Sequence, residues 1–240
     1  FGVGSSVTIS ENRFSIDPAS DLDQDTIYCV DVPGTAFTNN EGTAYVGTAY
    51  TFQSKFSFKK LFQWGQNQHG EAGTNNNVTY SSPIQIPGLT WSSMSNGWNS
   101  QLGTKTDGTL WSWGYDRYGS LGQGSTPGAI NYGLSSPVQI PGTTWSQGVD
   151  KITMASGGSG GGAALAIKTD GTLWAWGPNS QGQLGQNNRT QYSSPKQIPG
   201  TTWSTVSAGE SHVIATKTDG TLWALGENGS GQLGQNNETN

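Results

Sequence analysis

The sequence is poor in charged residues and in cysteine, and each shortage excludes a class of protein. Charged side chains make up 11% of its 240 residues and hydrophobic ones 32%, both below the usual share of a globular domain. The single cysteine, Cys29, excludes an internal disulfide and a zinc site built from cysteines. No apolar run is long enough to cross a bilayer, so we expect no membrane insertion.

Basic residues are also scarce, and they are unevenly placed. Residues 1–54 carry seven acids against one base, whereas residues 55–240 carry nine acids against ten bases. The second segment therefore has no basic stripe of the kind that phosphate binding requires, and we expect no nucleic-acid partner. The step in charge predicts a domain boundary between residues 54 and 55.

Glycine and tryptophan, in contrast, are abundant, and they recur at a fixed period. The segment TDGTLWSWG at residues 106–114 returns as TDGTLWAWG and TDGTLWALG, and the equivalent leucines are Leu61, Leu110, Leu173 and Leu222. The steps between these leucines are 49, 63 and 49 residues, so the basic period is 49 and the long step holds insertions. The sequence thus contains four copies of one structural unit.

The sequence pattern of each unit predicts about four short strands. TLWAWG and HVIATK alternate, TWSTVSAG is rich in β-branched residues, and SPKQIP is bounded by prolines. We expect Thr-Asp-Gly to form a two-residue hairpin turn in which Asp and Gly both take positive φ angles. A single four-stranded sheet cannot bury both of its faces, but identical sheets arranged around an axis can.

The last copy, AGESHVIATKTDGTLWALGENGSGQLGQNN, resembles the repeat of the regulator of chromosome condensation family. The resemblance covers residues 58–240 and implies an all-β fold, a β-propeller of four-stranded blades that usually has seven blades. Because the first and last units lack strands, we expect the four visible copies to be part of a larger ring. The resemblance also implies a structural role for the repeated tryptophans and turn acids: Trp64, Trp111, Trp113, Trp174, Trp176, Trp223, Asp107, Asp170 and Asp219.

Residues 1–54 alternate in the strand pattern and resemble the second half of a bacterial Ig-like β-sandwich domain. Within this segment, Asp21, Asp23 and Asp25 are the candidate metal ligands, because three alternating carboxylates can converge on Ca²⁺. The glycine and glutamate of an EF-hand loop are absent, so a solvated acidic loop is the alternative. We expect no other cofactor and no catalytic residues, since no paired carboxylates or nucleophile and base stand at a telling spacing.

Recognition is expected where residues break the repeat. Trp98 stands where another copy has Glu210, and Tyr115, Arg117 and Tyr118 give one loop an aromatic and cationic character that its equivalents lack. Drift between repeats is the alternative explanation. These four residues are the predicted surface-recognition set.

Three functions fit the sequence. The first is a non-enzymatic, extracellular structural protein of a virion, such as a tail, fibre or capsid appendage, with virion proteins or host-surface glycans and proteins as partners. The second is a bacterial surface adhesin or surface-layer protein. The third is an intracellular nucleotide-exchange regulator of a GTPase, as the family's founder implies. Self-association into a homo-oligomer is compatible with each function.

Overall fold

The chain divides into two compact units, Phe1–Ser57 and Phe58–Asn240. The computed structural model describes four strands of the first unit and, in the second, residues 60–124, 133–157 and 162–239. The boundary expected between residues 54 and 55 stays a prediction, because residues 54–59 lie outside the described ranges. Each unit is described by itself below.

The four strands of the first unit form two antiparallel pairs. Strand β1 (Ser6–Ser10) pairs with β2 (Arg13–Asp17), and β3 (Ile27–Val30) pairs with β4 (Tyr50–Gln53). These pairs agree with the strand pattern of the sequence, but they do not establish a sandwich, so the Ig-like domain stays a prediction. The candidate calcium ligands Asp21, Asp23 and Asp25 lie outside the described residues.

The second unit consists of four successive antiparallel sheets, which we call blades 1 to 4. Of the described strands, two belong to blade 1, four each to blades 2 and 3, and three to blade 4. The fold prediction of four short strands per repeat is therefore confirmed in the two inner blades. The strands are, in blade 1, β5 (Phe62–Gly65) and β6 (Tyr80–Gln85); in blade 2, β7 (Trp91–Asn96), β8 (Ser100–Lys105), β9 (Leu110–Tyr115) and β10 (Gly133–Ile140); in blade 3, β11 (Ile152–Met154), β12 (Ala164–Ile167), β13 (Leu173–Gly177) and β14 (Tyr192–Gln197); and in blade 4, β15 (Trp203–Ala208), β16 (His212–Lys217) and β17 (Leu222–Gly226). No helix in the described ranges is long and apolar enough to cross a membrane.

The hydrophobic core lies between the blades, because successive side chains of a strand point to opposite faces of its sheet. Leu110 of blade 2 packs in one cluster with Trp145 and Trp176 of the next blade. Equivalent clusters join blade 1 to blade 2 around Ile86, and blade 3 to blade 4 around Leu173. A blade therefore buries apolar side chains against its neighbours, which explains why the unit is repeated.

The Thr-Asp-Gly turns differ from the expected two-residue turns. In the turn after β8, Gly108 donates its N–H to the carbonyl oxygen of Lys105, and Lys105 donates to Thr109. Gly108 has a φ of 79°, whereas Asp107 is not among the residues with positive φ. The expectation of positive φ at both residues was wrong, because this longer loop requires a left-handed residue only at glycine.

Candidate functional site

Each Thr-Asp-Gly turn builds a short chain of hydrogen bonds that ends at a tryptophan. In blade 2, Asp107 Oδ1 accepts from the N–H of Thr109 at 3.0 Å and from its hydroxyl at 2.6 Å. That hydroxyl oxygen accepts from the indole N–H of Trp111 at 2.8 Å. Blades 3 and 4 repeat the arrangement with Asp170, Thr172 and Trp174 and with Asp219, Thr221 and Trp223.

The hydrogen bond from the threonine hydroxyl also holds the pKa of the turn aspartates below its usual value, with the backbone N–H of the same threonine acting in the same direction. Because a hydrogen bond to a carboxylate favours the charged form, these acids stay ionised as caps of the turn. The prediction that they serve as structural caps agrees with this geometry.

A lysine that precedes each turn lies between two tryptophans of its own blade. Lys105 Nζ lies 4.9 Å from the ring centroid of Trp91 and 3.9 Å from that of Trp111. Burial lowers the pKa of Lys105, while Asp107 opposes the change. In blade 3, Lys168 lies between Trp145 and Trp174, and in blade 4, Lys217 lies between Trp203 and Trp223. The distances from each lysine Nζ to the two ring centroids are 4.1–4.8 Å. Sequence reasoning missed these lysines, although each one directly precedes Thr-Asp-Gly.

The second tryptophan of the LWxWG segment reaches across to the preceding blade. Trp113 donates its indole N–H to the carbonyl oxygen of Glu71 at 2.8 Å, and Trp176 donates to Ser120 at 2.9 Å. Both rings are 0% exposed. Trp64, which occupies the same position in blade 1, is 61% exposed, because no described blade precedes it.

A buried polar residue closes the loop after the strand that carries the LWxWG-type segment in each described blade. Asn179 accepts from the N–H of Leu184 at 2.9 Å and donates to the carbonyl oxygens of Asn188 and Thr190. Asn67 and Asn228 make the same set of bonds in blades 1 and 4.

Blade 2 has Asp116 at this position. Asp116 accepts from the N–H of Leu121 at 2.9 Å, but a carboxylate has no N–H to donate to the rest of the loop. Burial raises the pKa of Asp116 to about 6, and the hydrogen bond from Leu121 opposes the rise. An alignment of the four loops would have shown from the sequence that Asp116 stands where the other three loops have asparagine.

The predicted recognition residues divide into exposed and buried ones. Trp98 is 55% exposed in the loop between β7 and β8, and the guanidinium of Arg117 lies 5.4 Å from the ring centroid of the partly exposed Tyr118. Tyr115 is only 8% exposed, and its ring packs edge-on against His69 of blade 1 at 4.5 Å. We therefore correct its assignment: the Tyr115 ring belongs to the contact between blades and not to the exposed surface.

The loops that carry Trp98 and Arg117 lie at the same end of blade 2. The N–H of Tyr115 donates to the carbonyl oxygen of Asn99 at 2.7 Å, which joins the two loops. The start of the β11–β12 loop of blade 3 lies beside them, since a Cβ built on Gly97 would lie 2.9 Å from the carbonyl oxygen of Ala155. We call this end of blades 2 and 3 the variable end.

The opposite end carries the repeated turns, and a groove opens beside one of the lysines. It has a volume of about 320 Å³ and is lined in part by Pro141, Trp145, Lys168, Trp174 and Pro195.

No group of three or more histidine, cysteine or acidic side chains is placed to hold a metal in the part of the chain that the structure describes.

Comparison with sequence families identifies the repeat. The family description "Regulator of chromosome condensation (RCC1) repeat" matches residues 107–165 and 170–216, and a second match with this description covers residues 203–232. Together the matches span about half of the chain.

Several curated proteins are similar over the same region. The chain is 27% identical to the mouse E3 ubiquitin-protein ligase HERC2 over 161 residues, which cover 64% of this chain and 3% of HERC2. It is 27% identical to the Arabidopsis thaliana ultraviolet-B receptor UVR8 over 58% of this chain and 30% of UVR8. It is 31% identical to the dog X-linked retinitis pigmentosa GTPase regulator over 58% of this chain and 13% of that protein. The chain thus spans a minor part of the length of these relatives.

Solved structures share the fold. Human WBSCR16 superposes with a TM-score of 0.62 at 20% identity, over 86% of this chain and 57% of that chain. Prp20p from Saccharomyces cerevisiae superposes with a TM-score of 0.59 at 17% identity, over 84% of this chain and 55% of that chain. Its structure is described together with its binding properties to Gsp1p and histones. The repeated sequence, the inter-blade packing and these matches agree, and the chain belongs to the regulator of chromosome condensation (RCC1) repeat family.

Proposed function

We propose that the repeat region is a non-enzymatic propeller scaffold that binds a protein partner through its variable end. The observation that carries the proposal is the exposed Trp98 beside the loop of Arg117 and Tyr118. Exposed tryptophan, tyrosine and arginine are the side chains that contribute most to protein interfaces. Backbone hydrogen bonds hold Gly97 and Gly119 in the described parts of these loops, so that these parts need little ordering on binding.

The proposed role is closest to that of a regulator. Yeast RCC1, Prp20, is bound to Kap60 in one similar structure, and another structure of Prp20p is described together with its binding properties to Gsp1p and histones. The curated proteins compared above are a ligase, a receptor and a GTPase regulator, and none of the three is a virion or adhesin protein. The comparisons therefore give no support to the virion appendage, and we propose the regulator in its place.

Two further properties belong to the proposal. An exposed arginine beside the Tyr118 ring favours a partner whose surface presents carboxylates or carbonyl oxygens. The proposed regulator would act inside a cell, and this location replaces the extracellular one that was expected for a virion protein. The absence of a cofactor stays a prediction from the sequence.

A photocrosslinking experiment tests the proposal. A photoreactive phenylalanine analogue replaces Trp98 in one variant and Val149, which is exposed at the opposite end, in a matched control. We expect a discrete crosslinked partner from position 98 in a lysate of the source cell, lost when Arg117→Ala is added. Equal crosslinking from both positions would reject the variable end as the binding surface.

A nucleotide-release assay tests the finer proposal. Gsp1p loaded with a fluorescent guanine nucleotide serves as the probe, and the chain is added in excess. Accelerated release that Trp98→Ala abolishes would support a GTPase regulator. Unchanged release together with specific crosslinking would leave a partner-binding scaffold of another kind.

A further inference from the structure

The groove between blades 2 and 3 contains a cation with no acid opposite it. Lys168 Nζ lies over the rings of Trp145 and Trp174, and it forms no ion pair with any residue that the structure describes. Asp170 caps its own turn through Thr172 instead, although Lys168 helps to lower the pKa of this aspartate. Among the described residues that line the groove, Lys168 is the only charged one. Its ammonium group is therefore available to an anion that enters the groove.

A glycine distinguishes this groove from the preceding junction between blades 1 and 2. There, Asn75 Oδ1 accepts a hydrogen bond from the hydroxyl of Ser136 at 3.3 Å. Gly124 and Ser194 are the equivalent residues between blades 2 and 3, and both line the groove. A Cβ built on Gly124 would lie 3.4 Å from Ser194 Oγ. The missing side chain thus leaves the Ser194 hydroxyl without the asparagine acceptor and opens the groove beside it.

The backbone does not require glycine at this position. Gly124 has a φ of 82°, whereas its equivalents Asn75, Asn187 and Asn236 have φ angles of 60°, 53° and 57°. Asparagine is among the residues that adopt this left-handed conformation most readily. The change from asparagine to glycine therefore alters the space and the chemistry of the groove while the loop keeps its course.

The groove has the size and the lining of a small binding site. Its volume of about 320 Å³ lies at the lower end of the range of ligand sites, so it can take a side chain and its neighbours. Pro141, Pro195 and Trp174 supply apolar walls, and Lys168 and Ser194 supply donors. A carboxylate only accepts hydrogen bonds, so it complements both donors and neutralises the lysine.

We propose that this groove binds an acidic side chain in an extended peptide segment of a partner protein. Lys168 forms the ion pair, Ser194 donates a hydrogen bond, and the two prolines contact the apolar part of the segment. The tryptophan rings already hold the ammonium group in place, so its ordering costs little on binding. The site is separate from the variable end, and it does not depend on the regulator proposed above.

Nuclear magnetic resonance of the protein with isotope-labelled lysine tests the proposal. The probe is the peptide acetyl-Ala-Glu-Ala-amide, and the same peptide with glutamine is the uncharged control. We expect the glutamate peptide to shift the ε-methylene signal of Lys168 along a saturating curve. The glutamine peptide should bind about tenfold more weakly, because it lacks a charge-assisted hydrogen bond. Lys105 is the internal control, since it also lies between two tryptophan rings but beside Asn75.

Two reciprocal variants test the role of the glycine. Gly124→Asn restores the asparagine of the preceding junction and should abolish the Lys168 response, while the thermal midpoint stays close to that of the wild type. Asn75→Gly makes the reverse change and should give Lys105 a response to the glutamate peptide. Circular dichroism of both variants checks that the blades remain folded.

Several results would overturn the proposal. One is an unshifted Lys168 signal at every soluble peptide concentration, and another is an equal response of Lys105 in the wild-type protein. Equal binding of the glutamine peptide would exclude the carboxylate as the recognised group, and unchanged binding by Gly124→Asn would exclude the open groove. An equal effect of acetate or inorganic phosphate alone would assign the site to a free anion and reject the peptide segment.

Discussion

The indole N–H of Trp176 donates a 2.9 Å hydrogen bond to the main-chain carbonyl oxygen of Ser120 in the preceding blade. The ring is fully buried and fills the space above Gly122. A side chain of one repeat thus satisfies a backbone group of another repeat, and the junction combines apolar packing with a specific polar contact.

Replacing Trp176 should destabilise the array strongly. We expect Trp176→Ala to lower the free energy of unfolding by about 3 to 5 kcal/mol, as for other large aromatic side chains in a core. Trp176→Leu should cost less, because blade 4 carries Leu225 at the same position. Urea denaturation followed by circular dichroism measures both. Trp98→Ala, an exposed tryptophan, is the control and should change stability by less than about 0.5 kcal/mol.

Alanine at the turn glycines should have an effect that depends on the neighbouring blade. Gly108 and Gly220 have similar φ angles of 79° and 83°, so both substitutions strain the backbone by about 1 to 2 kcal/mol. A Cβ on Gly108 would also lie 2.3 Å from the carbonyl oxygen of Thr143, whereas one on Gly220 meets nothing within 4 Å. We therefore expect Gly108→Ala to lower the thermal midpoint clearly further than Gly220→Ala. Equal shifts would contradict the inter-blade contact.

Asp116 should make the stability of the protein fall as pH rises. Its folded pKa of about 6 lies above the ordinary value of 3.8, so the native state binds more protons than the unfolded state between these values. Stability is lost as pH rises through this window, by about 3 kcal/mol for a shift of this size.

Two variants test this pH dependence. Asp116→Asn should remove the contribution and stabilise the protein at pH 7, since asparagine occupies the position in the other three blades. Asn179→Asp should create a matching dependence in blade 3. Urea unfolding between pH 4 and pH 8 measures both, and superimposable profiles for wild type and Asp116→Asn would refute the assignment.

The turn aspartates should stabilise the protein mainly as hydrogen-bond acceptors, with a smaller contribution from their charge. Asp107→Ala removes both bonds to Thr109 and should cost about 1 to 2 kcal/mol. Asp107→Asn keeps an acceptor oxygen at the same place and should cost clearly less. Thermal unfolding of the two variants side by side separates these effects, and an equal loss would indicate that the negative charge itself matters.

Features that depend on neighbours along the chain could be predicted from the sequence. The alternation in HVIATK predicted a strand, and β16 spans His212–Lys217. The capping role of Asp107 also follows from the local sequence. The burial of Tyr115 could not be predicted, because it depends on contact with His69 of another blade. The stacking of Lys105 between two rings depends likewise on strand register, which pairs Trp91 with Lys105.

The placement of the core between blades has a consequence for how such a gene can change. Removing or duplicating one period of 49 residues, from any starting point within the unit, rejoins the glycine loop of one blade to the strand of the next blade that packs on it. Every new junction then pairs the same two kinds of surface as the old ones, whether the packing residue is a tryptophan, as in blades 2 and 3, or Leu225, as in blade 4. Recombination between repeats can therefore alter the number of units while each surviving core is inherited intact.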